Sequence, residues 1–104
     1  MDVPPFDRAA FDGYAVRSVD TLGASRTNPM MLKVVGKALP GAPFKGAVGP
    51  GEAVEVATGA PLPTGADAVI PYEEAARRGD YIEVYRPVPQ FYYVSRRGED
   101  VAAG

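Results

Sequence analysis

The sequence predicts a mainly β fold, a coiled or twisted antiparallel sheet or an irregular barrel, with one or two short helical turns. The 12 glycines and 11 prolines among 104 residues leave few windows long enough for an ordinary helix. Between them, short segments alternate apolar and polar side chains, as half-buried strands do. With 46% hydrophobic residues, a chain of this length can bury one core but not two. We therefore expect one β-rich domain over residues 1–104.

The first predicted element is a short helical turn. Asp7 can cap it, because its carboxylate can accept a hydrogen bond from a free N–H group of the first turn. Phe6 and Phe11 then have the spacing of a hydrophobic staple, and Gly13 would end the turn in the left-handed conformation. Asp12 is left in the last turn, where the helix dipole disfavours a negative charge. Because this position is electrostatically unfavourable for Asp12, the residue can have a functional role instead of a structural one.

The remaining elements are six predicted strands separated by turns: residues 14–17, 30–38, 52–58, 67–73, 81–86 and 91–96. Residues 18–23 predict a second helical turn that ends at glycine. Pro71 lacks an N–H donor, which places its strand at an edge or a bulge. The turn residues around Gly79 indicate that strands 67–73 and 81–86 pair as a hairpin. Four charged residues next to this turn predict a solvated cluster without chemistry: Glu73, Glu74, Arg77 and Arg78.

The composition excludes several kinds of chemistry. Without cysteine there is no disulfide, thiol nucleophile or cysteine-bound zinc, and without histidine the commonest general base is missing. Any reaction must use carboxylates, hydroxyls, Arg or Lys side chains and backbone N–H groups. The formal net charge of −2, with no basic segment, predicts no nucleic-acid partner. No apolar stretch is long enough to span a bilayer and no secretory signal is seen, so we expect no membrane partner and a cytoplasmic protein.

Two segments combine turn residues with groups that can do chemistry. Asp12 on a rigid turn can hold a metal, orient a water or accept a proton; the alternative is a solvated surface carboxylate. Thr58 ends a strand and Gly59 follows it, so the two can present a hydroxyl and a bare N–H to an oxyanion or phosphate. The segment lacks the second glycine and the Lys-Ser/Thr pair of a P-loop. The alternative is an ordinary exit from a strand.

A third segment places charges around a glycine near the C-terminal end: Arg96, Arg97, Gly98, Glu99 and Asp100. Arginine binds phosphate through two parallel hydrogen bonds, and paired carboxylates suit Mg²⁺. A surface turn whose charges screen one another explains the same residues. Each of the three segments is a weak signal when taken alone.

Taken together, four blocks of the sequence closely resemble the MoeA family, which comprises the molybdopterin molybdotransferases and the C-terminal part of gephyrin. The blocks are residues 4–17 with Asp-Gly-Tyr-Ala at 12–15, residues 51–63 with Thr-Gly-Ala-Pro at 58–61, residues 65–70, and residues 97–100 with Gly-Glu-Asp at 98–100. The resemblance spans nearly the whole chain.

The resemblance implies a four-domain, elongated homodimer that inserts molybdenum from molybdate into adenylylated molybdopterin and releases AMP in a Mg²⁺-dependent step. This chain resembles only the second, β-rich domain, which in the family faces the pterin-binding domain of the partner subunit across a cleft. The pterin-binding and C-terminal domains have no counterpart in the sequence. We therefore expect a fragment that is inactive by itself and holds no cofactor tightly.

The resemblance also assigns roles to residues of the matching motifs. The catalytic positions are Asp12, Thr58 and Asp100, and the substrate-binding positions are Gly59, Arg97 and Glu99. It names no metal ligand. The chain departs from the family at Ala9 and Phe11, where serine and methionine are usual, so any hydrogen bond from a hydroxyl at position 9 is lost.

Two further functions remain open from the sequence. The chain can be an interaction module for dimer assembly or scaffolding in the manner of gephyrin, with its acidic residues incidental. It can also be a free-standing β domain that binds a nucleotide or a pterin.

Overall fold

The structure, a computed structural model, describes residues 7–96, which form eight strands and two 3₁₀ turns. The strands are β1 (Arg8–Ala9), β2 (Gly13–Val16), β3 (Met30–Ala38), β4 (Glu52–Val56), β5 (Ala68–Pro71), β6 (Ala75–Arg78), β7 (Tyr81–Val84) and β8 (Val94–Ser95). The 3₁₀ turns cover Ser18–Thr21 and Tyr72–Glu74. The mainly β prediction is therefore confirmed. Within this part of the chain, no helix has the length and apolar character needed to cross a membrane.

Six strands form one sheet in the order β5-β2-β4-β3-β7-β6, while β1 and β8 pair in a separate two-stranded sheet. The larger sheet curls into a half-barrel. Its neighbours are antiparallel, as predicted, except that β3 and β4 run parallel. Parallel strands need a crossover connection of about a dozen residues. Residues 39–51, which separate β3 from β4, supply it.

Both faces of the larger sheet bury apolar side chains. The first face holds a cluster that includes Tyr14, Val16, Leu32, Ala53, Ile70, Ile82 and Val84. The second face holds a cluster that includes Ala15, Ala38, Val48, Val54, Val56, Ala60 and Val69. Successive side chains of a strand point to opposite faces, so all four residues of β2 and of β5 are buried. The single core expected from the chain length is thus divided by the sheet into two layers.

Strand β3 has the predicted bounds, and its pairing with β4 is irregular between Val34 and Gly36, as in a β-bulge. Its first residues pair with β7 and its later residues pair with β4. Leu32 packs in the first cluster, whereas Val35 packs against the second. A bulge bends a strand and increases its twist. The irregularity in β3 therefore favours the curl of the sheet.

The helical turn predicted at the N-terminal end is wrong. Residues 8–9 form β1, which pairs with β8; in addition, the Ala9 N–H donates to the Ala60 carbonyl at 2.9 Å and the Ala9 carbonyl accepts from the Gly59 N–H at 2.8 Å. These long-range bonds replace the bonds that a helix would make within itself. Gly13 opens β2 instead of ending a turn in the left-handed conformation. Phe6, half of the proposed staple, lies outside the described residues.

The predicted hairpin between residues 67–73 and 81–86 is also wrong. Strand β7 pairs instead with β6 and β3. Strand β5 pairs with β2 and lies at the opposite edge of the sheet, in agreement with the edge position predicted from Pro71. The segment interpreted as a solvated charge cluster includes β6. Arg78 and Glu83, on the paired strands β6 and β7, approach to 3.4 Å between Nε and Oε1. Charged side chains are common on edge strands because they discourage pairing with other chains.

The last predicted strand, residues 91–96, is shortened to β8. Phe91 and Tyr93 have φ angles of 64° and 51°, in the left-handed region. Such angles are uncommon for bulky side chains and end a regular strand. The run of aromatic residues predicted a strand, because aromatic residues are enriched in strands, but the backbone angles of Phe91 and Tyr93 interrupt it. The helical turn predicted over residues 18–23 is confirmed as the 3₁₀ turn Ser18–Thr21, with Gly23 at a φ of 84°.

Candidate functional site

Asp12 and Thr58 lie together at one end of the larger sheet. Asp12 immediately precedes β2, and Thr58 follows β4 by two residues. Strands β2 and β4 are antiparallel neighbours with Gly13 opposite Val56. The start of one strand therefore meets the end of the other, and two positions 46 residues apart in sequence become adjacent.

Thr58 holds the Asp12 carboxylate through two hydrogen bonds. Its backbone N–H donates to Asp12 Oδ1 at 2.7 Å, and its hydroxyl donates to the same oxygen at 3.0 Å. Both residues are exposed. Within residues 7–96, Asp12 Oδ2 accepts no hydrogen bond. We call these two residues the Asp12–Thr58 pair: a carboxylate with one oxygen fixed and the other open to solvent.

The turn that carries Thr58 is closed by a hydrogen bond from the Ala60 N–H to the Ala57 carbonyl at 3.0 Å. Gly59 occupies its third position with a φ of 88°, as a type II turn requires. A side chain at this position would be strained in the left-handed region. Glycine is therefore needed here to give the turn its shape and to aim Thr58 at Asp12.

Strand β1 clamps the same turn from the other side. The Gly59 N–H donates to the Ala9 carbonyl at 2.8 Å, and Arg8 Nη1 donates to the Gly59 carbonyl at 2.9 Å. The interpretation of Gly59 as the donor of a bare N–H to an anion is therefore wrong, because that group has an internal partner. The Thr58 N–H is likewise committed to Asp12.

The hydrogen bonds also set the charge of Asp12. The backbone N–H of Thr58, followed by its hydroxyl, lowers the pKa of the Asp12 carboxyl below its ordinary value of 3.8. Hydrogen bonds to the charged form of a carboxylate favour ionisation. Asp12 therefore carries a full negative charge at neutral pH and can act as a fixed anion or as a proton acceptor.

Replacing Thr58 with valine should raise the pKa of Asp12 toward 3.8 without reaching it. Valine keeps the shape and the backbone N–H, which has the larger effect, and removes only the hydroxyl. Because the folded-state pKa is lowered, these bonds stabilise the fold above about pH 4 and lose that effect as the pH falls through the lowered pKa. A carbon-detected NMR titration of the aspartate carboxyl groups measures the shift. An unchanged pKa would show that the hydroxyl does not act on Asp12.

A second polar group, which the sequence did not reveal, lies beside the pair. Tyr72 donates a short hydrogen bond from its hydroxyl to Glu55 Oε2, and Arg77 Nη1 lies 4.0 Å from Glu55 Oε1. The rings of Tyr72 and Tyr14 pack in a T-shaped arrangement, with 5.2 Å between ring centroids. Burial, the bond to Glu55 and the charges of Glu55 and Asp12 raise the pKa of the Tyr72 hydroxyl. Tyr72 follows the edge strand β5, so only the strand order brings it to Asp12.

The other predicted site residues lie outside the described residues: Arg97, Glu99 and Asp100. Arg96, the last described residue, places its guanidinium 3.9 Å from the centroid of the Phe91 ring. Among residues 7–96, no three His, Cys, Asp or Glu side chains come close enough together to hold a metal ion. Residues 7–96 therefore hold no cluster of three such ligands, and Asp12 can contribute a carboxylate to an ion that is also bound by other groups.

Another surface feature is a cavity of about 580 Å³ lined by residues that include Arg26, Glu73, Glu74, Tyr85 and Arg86. Arg86 Nη2 donates to Glu74 Oε1 at 2.8 Å, and the Tyr92 hydroxyl donates to the same oxygen at 2.6 Å. These bonds tie the end of β7 to the 3₁₀ turn before β6. Asp12 and Thr58 do not line this cavity, so it is separate from the candidate site.

Comparisons with known proteins agree on one family. The chain is 38% identical over 103 residues to the molybdopterin molybdenumtransferase of Staphylococcus aureus (strain MSSA476), covering 99% of this chain and 25% of that protein. It is 40% identical over 104 residues to molybdopterin molybdenumtransferase 2 of Mycobacterium tuberculosis (strain ATCC 25618 / H37Rv), covering 100% of this chain and 26% of that protein. The chain thus spans about a quarter of the length of these relatives.

The fold agrees with a solved structure. The crystal structure of the molybdopterin biosynthesis moeA protein from Pyrococcus horikoshii OT3 is similar with a TM-score of 0.90 and 47% sequence identity, covering 94% of this chain and 26% of that one. The family profile described as the MoeA N-terminal region (domain I and II) matches residues 1–104. With its whole length matched by that profile, the chain belongs to the MoeA N-terminal region family.

Proposed function

We propose that this chain forms one wall of the active site of a MoeA-type molybdopterin molybdenumtransferase, in the step that inserts molybdenum from molybdate into adenylylated molybdopterin and releases AMP. The observation that carries the proposal is the Asp12–Thr58 pair, an exposed, ionised carboxylate held by two hydrogen bonds at the end of the sheet. The names of the relatives supply the reaction class. The remaining domains and a second subunit would supply the opposite wall.

The pair is suited to a reaction among oxyanions. Asp12 Oδ2 is free to accept a proton or to contact a cation, and Thr58 holds the carboxylate so that no reorganisation is needed when charge develops. The Thr58 hydroxyl has its proton engaged with Asp12 and still has lone pairs that accept. A protonated oxygen of a substrate can therefore donate to Asp12 Oδ2 or to a lone pair of the Thr58 hydroxyl.

Mg²⁺ could be bound jointly by this wall and by the phosphate groups of the substrate. In proteins it is usually bound by one or two carboxylates together with substrate phosphates. Asp12 is the described carboxylate that would contact it, and the ion would offset charge on the phosphate that leaves as AMP. Through their place in the matching motif, Arg97, Glu99 and Asp100 are assigned to the same wall, with Gly59 shaping the turn. A cytoplasmic location follows for an enzyme of cofactor biosynthesis.

The test is molybdenum insertion by the full-length protein carrying Asp12→Asn or Thr58→Ala. Acid–base and electrostatic groups typically contribute two or more powers of ten to a rate, so we expect turnover to fall by at least about tenfold for Asp12→Asn. The measurement is AMP release together with molybdenum incorporated per protein. Light scattering of the same samples reports whether the dimer persists.

Asp20→Asn is the matched control. Asp20 Oδ2 also accepts a backbone N–H, from Gly51 at 2.9 Å, but Asp20 lies in the 3₁₀ turn Ser18–Thr21. We expect this variant to keep full turnover. Equal losses from Asp12→Asn and Asp20→Asn, or no loss from Asp12→Asn, would reject the role of the Asp12–Thr58 pair.

A second candidate function is dimer assembly or scaffolding, and one observation favours it. Val19, within the 3₁₀ turn Ser18–Thr21, is 53% exposed, and Leu22, which follows the turn, is 61% exposed. Exposed apolar side chains of this size are common at protein interfaces. If Asp12→Asn dissociates the dimer and abolishes activity to the same extent, this second function is the better account.

A further inference from the structure

Tyr72 is unusual in being both exposed and held in place. Its side chain is 42% exposed, yet its hydroxyl is bonded to Glu55 and its ring meets Tyr14 at an interplanar angle of 88°. Its backbone N–H donates to the Asp12 carbonyl at 3.3 Å. Three contacts therefore fix a ring that still presents a surface to solvent.

The strand register places this ring beside the Asp12–Thr58 pair. Strands β2 and β5 are antiparallel with Gly13 opposite Pro71. Asp12 immediately precedes β2 and Tyr72 immediately follows β5, and the hydrogen bond from the Tyr72 N–H to the Asp12 carbonyl joins the two residues just beyond the paired strands. The charge of Asp12 acts on the Tyr72 hydroxyl, as expected for neighbours.

A fixed, exposed aromatic ring is a good surface for stacking. Immobilising a free side chain on binding costs about 0.5–1.5 kcal/mol, and the contacts with Tyr14 and Glu55 have already restricted this one. With 42% of Tyr72 exposed, part of its surface remains accessible, and every planar heteroaromatic ring has a face that can stack on an aromatic side chain.

We propose that Tyr72 is a stacking surface for a planar heteroaromatic ring of the ligand whose polar part meets the Asp12–Thr58 pair. The inference rests on the proposed function for the identity of that ring. Molybdopterin, in the names of the relatives, contains a pterin, and an adenylylated substrate also contains an adenine. The two rings share the flat, electron-poor chemistry that stacks on tyrosine. Tyr72 adds affinity for the ring, whereas the Asp12–Thr58 pair acts on the oxyanion.

The test measures binding of two probes, AMP and pterin-6-carboxylate, to the full-length protein by titration calorimetry. Base–aromatic stacking is worth about 1–3 kcal/mol, so Tyr72→Ala should weaken binding of one probe by about tenfold. The probe that is weakened identifies the ring. Tyr72→Phe retains the ring and should bind within about twofold of the unmodified protein, since the hydroxyl bonds Glu55 and not the ligand.

Tyr81→Ala is the matched control, because Tyr81 has the same 42% exposure but lies on β7, separated from β2 by β4 and β3. It should bind both probes unchanged. If Tyr72→Ala does not fold, Tyr72→Leu replaces it: leucine keeps apolar bulk and lacks the aromatic face, so it should show the same loss.

Unchanged binding of both probes by Tyr72→Ala and Tyr72→Leu would overturn the inference, as would a loss in Tyr72→Phe equal to that in Tyr72→Ala. The two proposals fail separately. Normal probe binding by Tyr72→Ala, combined with a slow Asp12→Asn enzyme, rejects only the stacking surface. Weak probe binding by Tyr72→Ala, combined with a fully active Asp12→Asn enzyme, rejects only the role of the Asp12–Thr58 pair.

Discussion

Replacing Gly13 with alanine is expected to lower the free energy of unfolding by about 3 kcal/mol or more, one of the two largest effects predicted for this chain. A Cβ atom at this position would lie 2.1 Å from the Ile70 carbonyl oxygen and 2.8 Å from the Pro71 Cα. Both are backbone atoms of β5, so no side-chain rotation can relieve the clash. Strand β5 would have to move away from β2, and the buried cluster around Ile70 would open with it. Urea unfolding followed by circular dichroism measures the loss.

The control for Gly13 is Gly23→Ala. Gly23 has a φ of 84°, and a Cβ atom there would meet nothing within 4 Å. Only the left-handed backbone penalty remains, about 1–2 kcal/mol. If Gly13→Ala is no more destabilising than Gly23→Ala, the result would contradict the close packing of β2 against β5 at Gly13. Because Asp12 precedes Gly13, the clash should also disturb the Asp12–Thr58 pair, which the pKa of Asp12 would report.

The second large effect is expected for Thr21→Val, which should destabilise the fold by about 2–4 kcal/mol. The Thr21 side chain is fully buried, with 0% exposure. Its hydroxyl donates to the Ser18 carbonyl at 2.7 Å and accepts from the Val88 N–H at 3.0 Å. Valine has the same shape and removes both bonds, which leaves the buried Val88 N–H without its partner. The bond to Val88 joins positions 67 residues apart and fixes the segment after β7 against the 3₁₀ turn.

Thr21→Ser separates this hydrogen-bonding effect from packing. Serine keeps the hydroxyl and loses only a methyl group, so we expect a loss of about 1 kcal/mol, close to the value for one buried methylene. Thermal unfolding of the three proteins under one condition gives the comparison. A valine variant as stable as the serine variant would mean that the buried hydroxyl contributes little.

The outcome for β1 shows why local pattern and structure disagree at the N-terminal end. The cap at Asp7 and the glycine at position 13 are legitimate signals for a helical turn. No helical turn forms, because the backbone of Ala9 bonds to Gly59 and Ala60 instead. Glycine is needed at position 13 because a side chain there would clash with the Ile70 carbonyl. The prediction identified Gly13 as special and assigned the wrong cause.

The amino-acid sequence alone determined the fold class, the family and the candidate site residues of this chain. Short alternating segments between glycines and prolines determined the mainly β class and the bounds of β3. The motifs around Asp12 and Thr58 determined the family and the candidate residues, since these motifs occupy contiguous positions that can be recognised without a structure.

Only the tertiary structure decided which strands are neighbours, and therefore which side chains meet. Strand order is set by burial on both faces of the sheet and by long-range backbone hydrogen bonds, neither of which appears in a local pattern. The contact of Asp12 with Thr58, the position of Tyr72 beside them and the edge strand β6 all follow from that order. Periodicity describes a strand by itself, and a site built between strands requires their pairing.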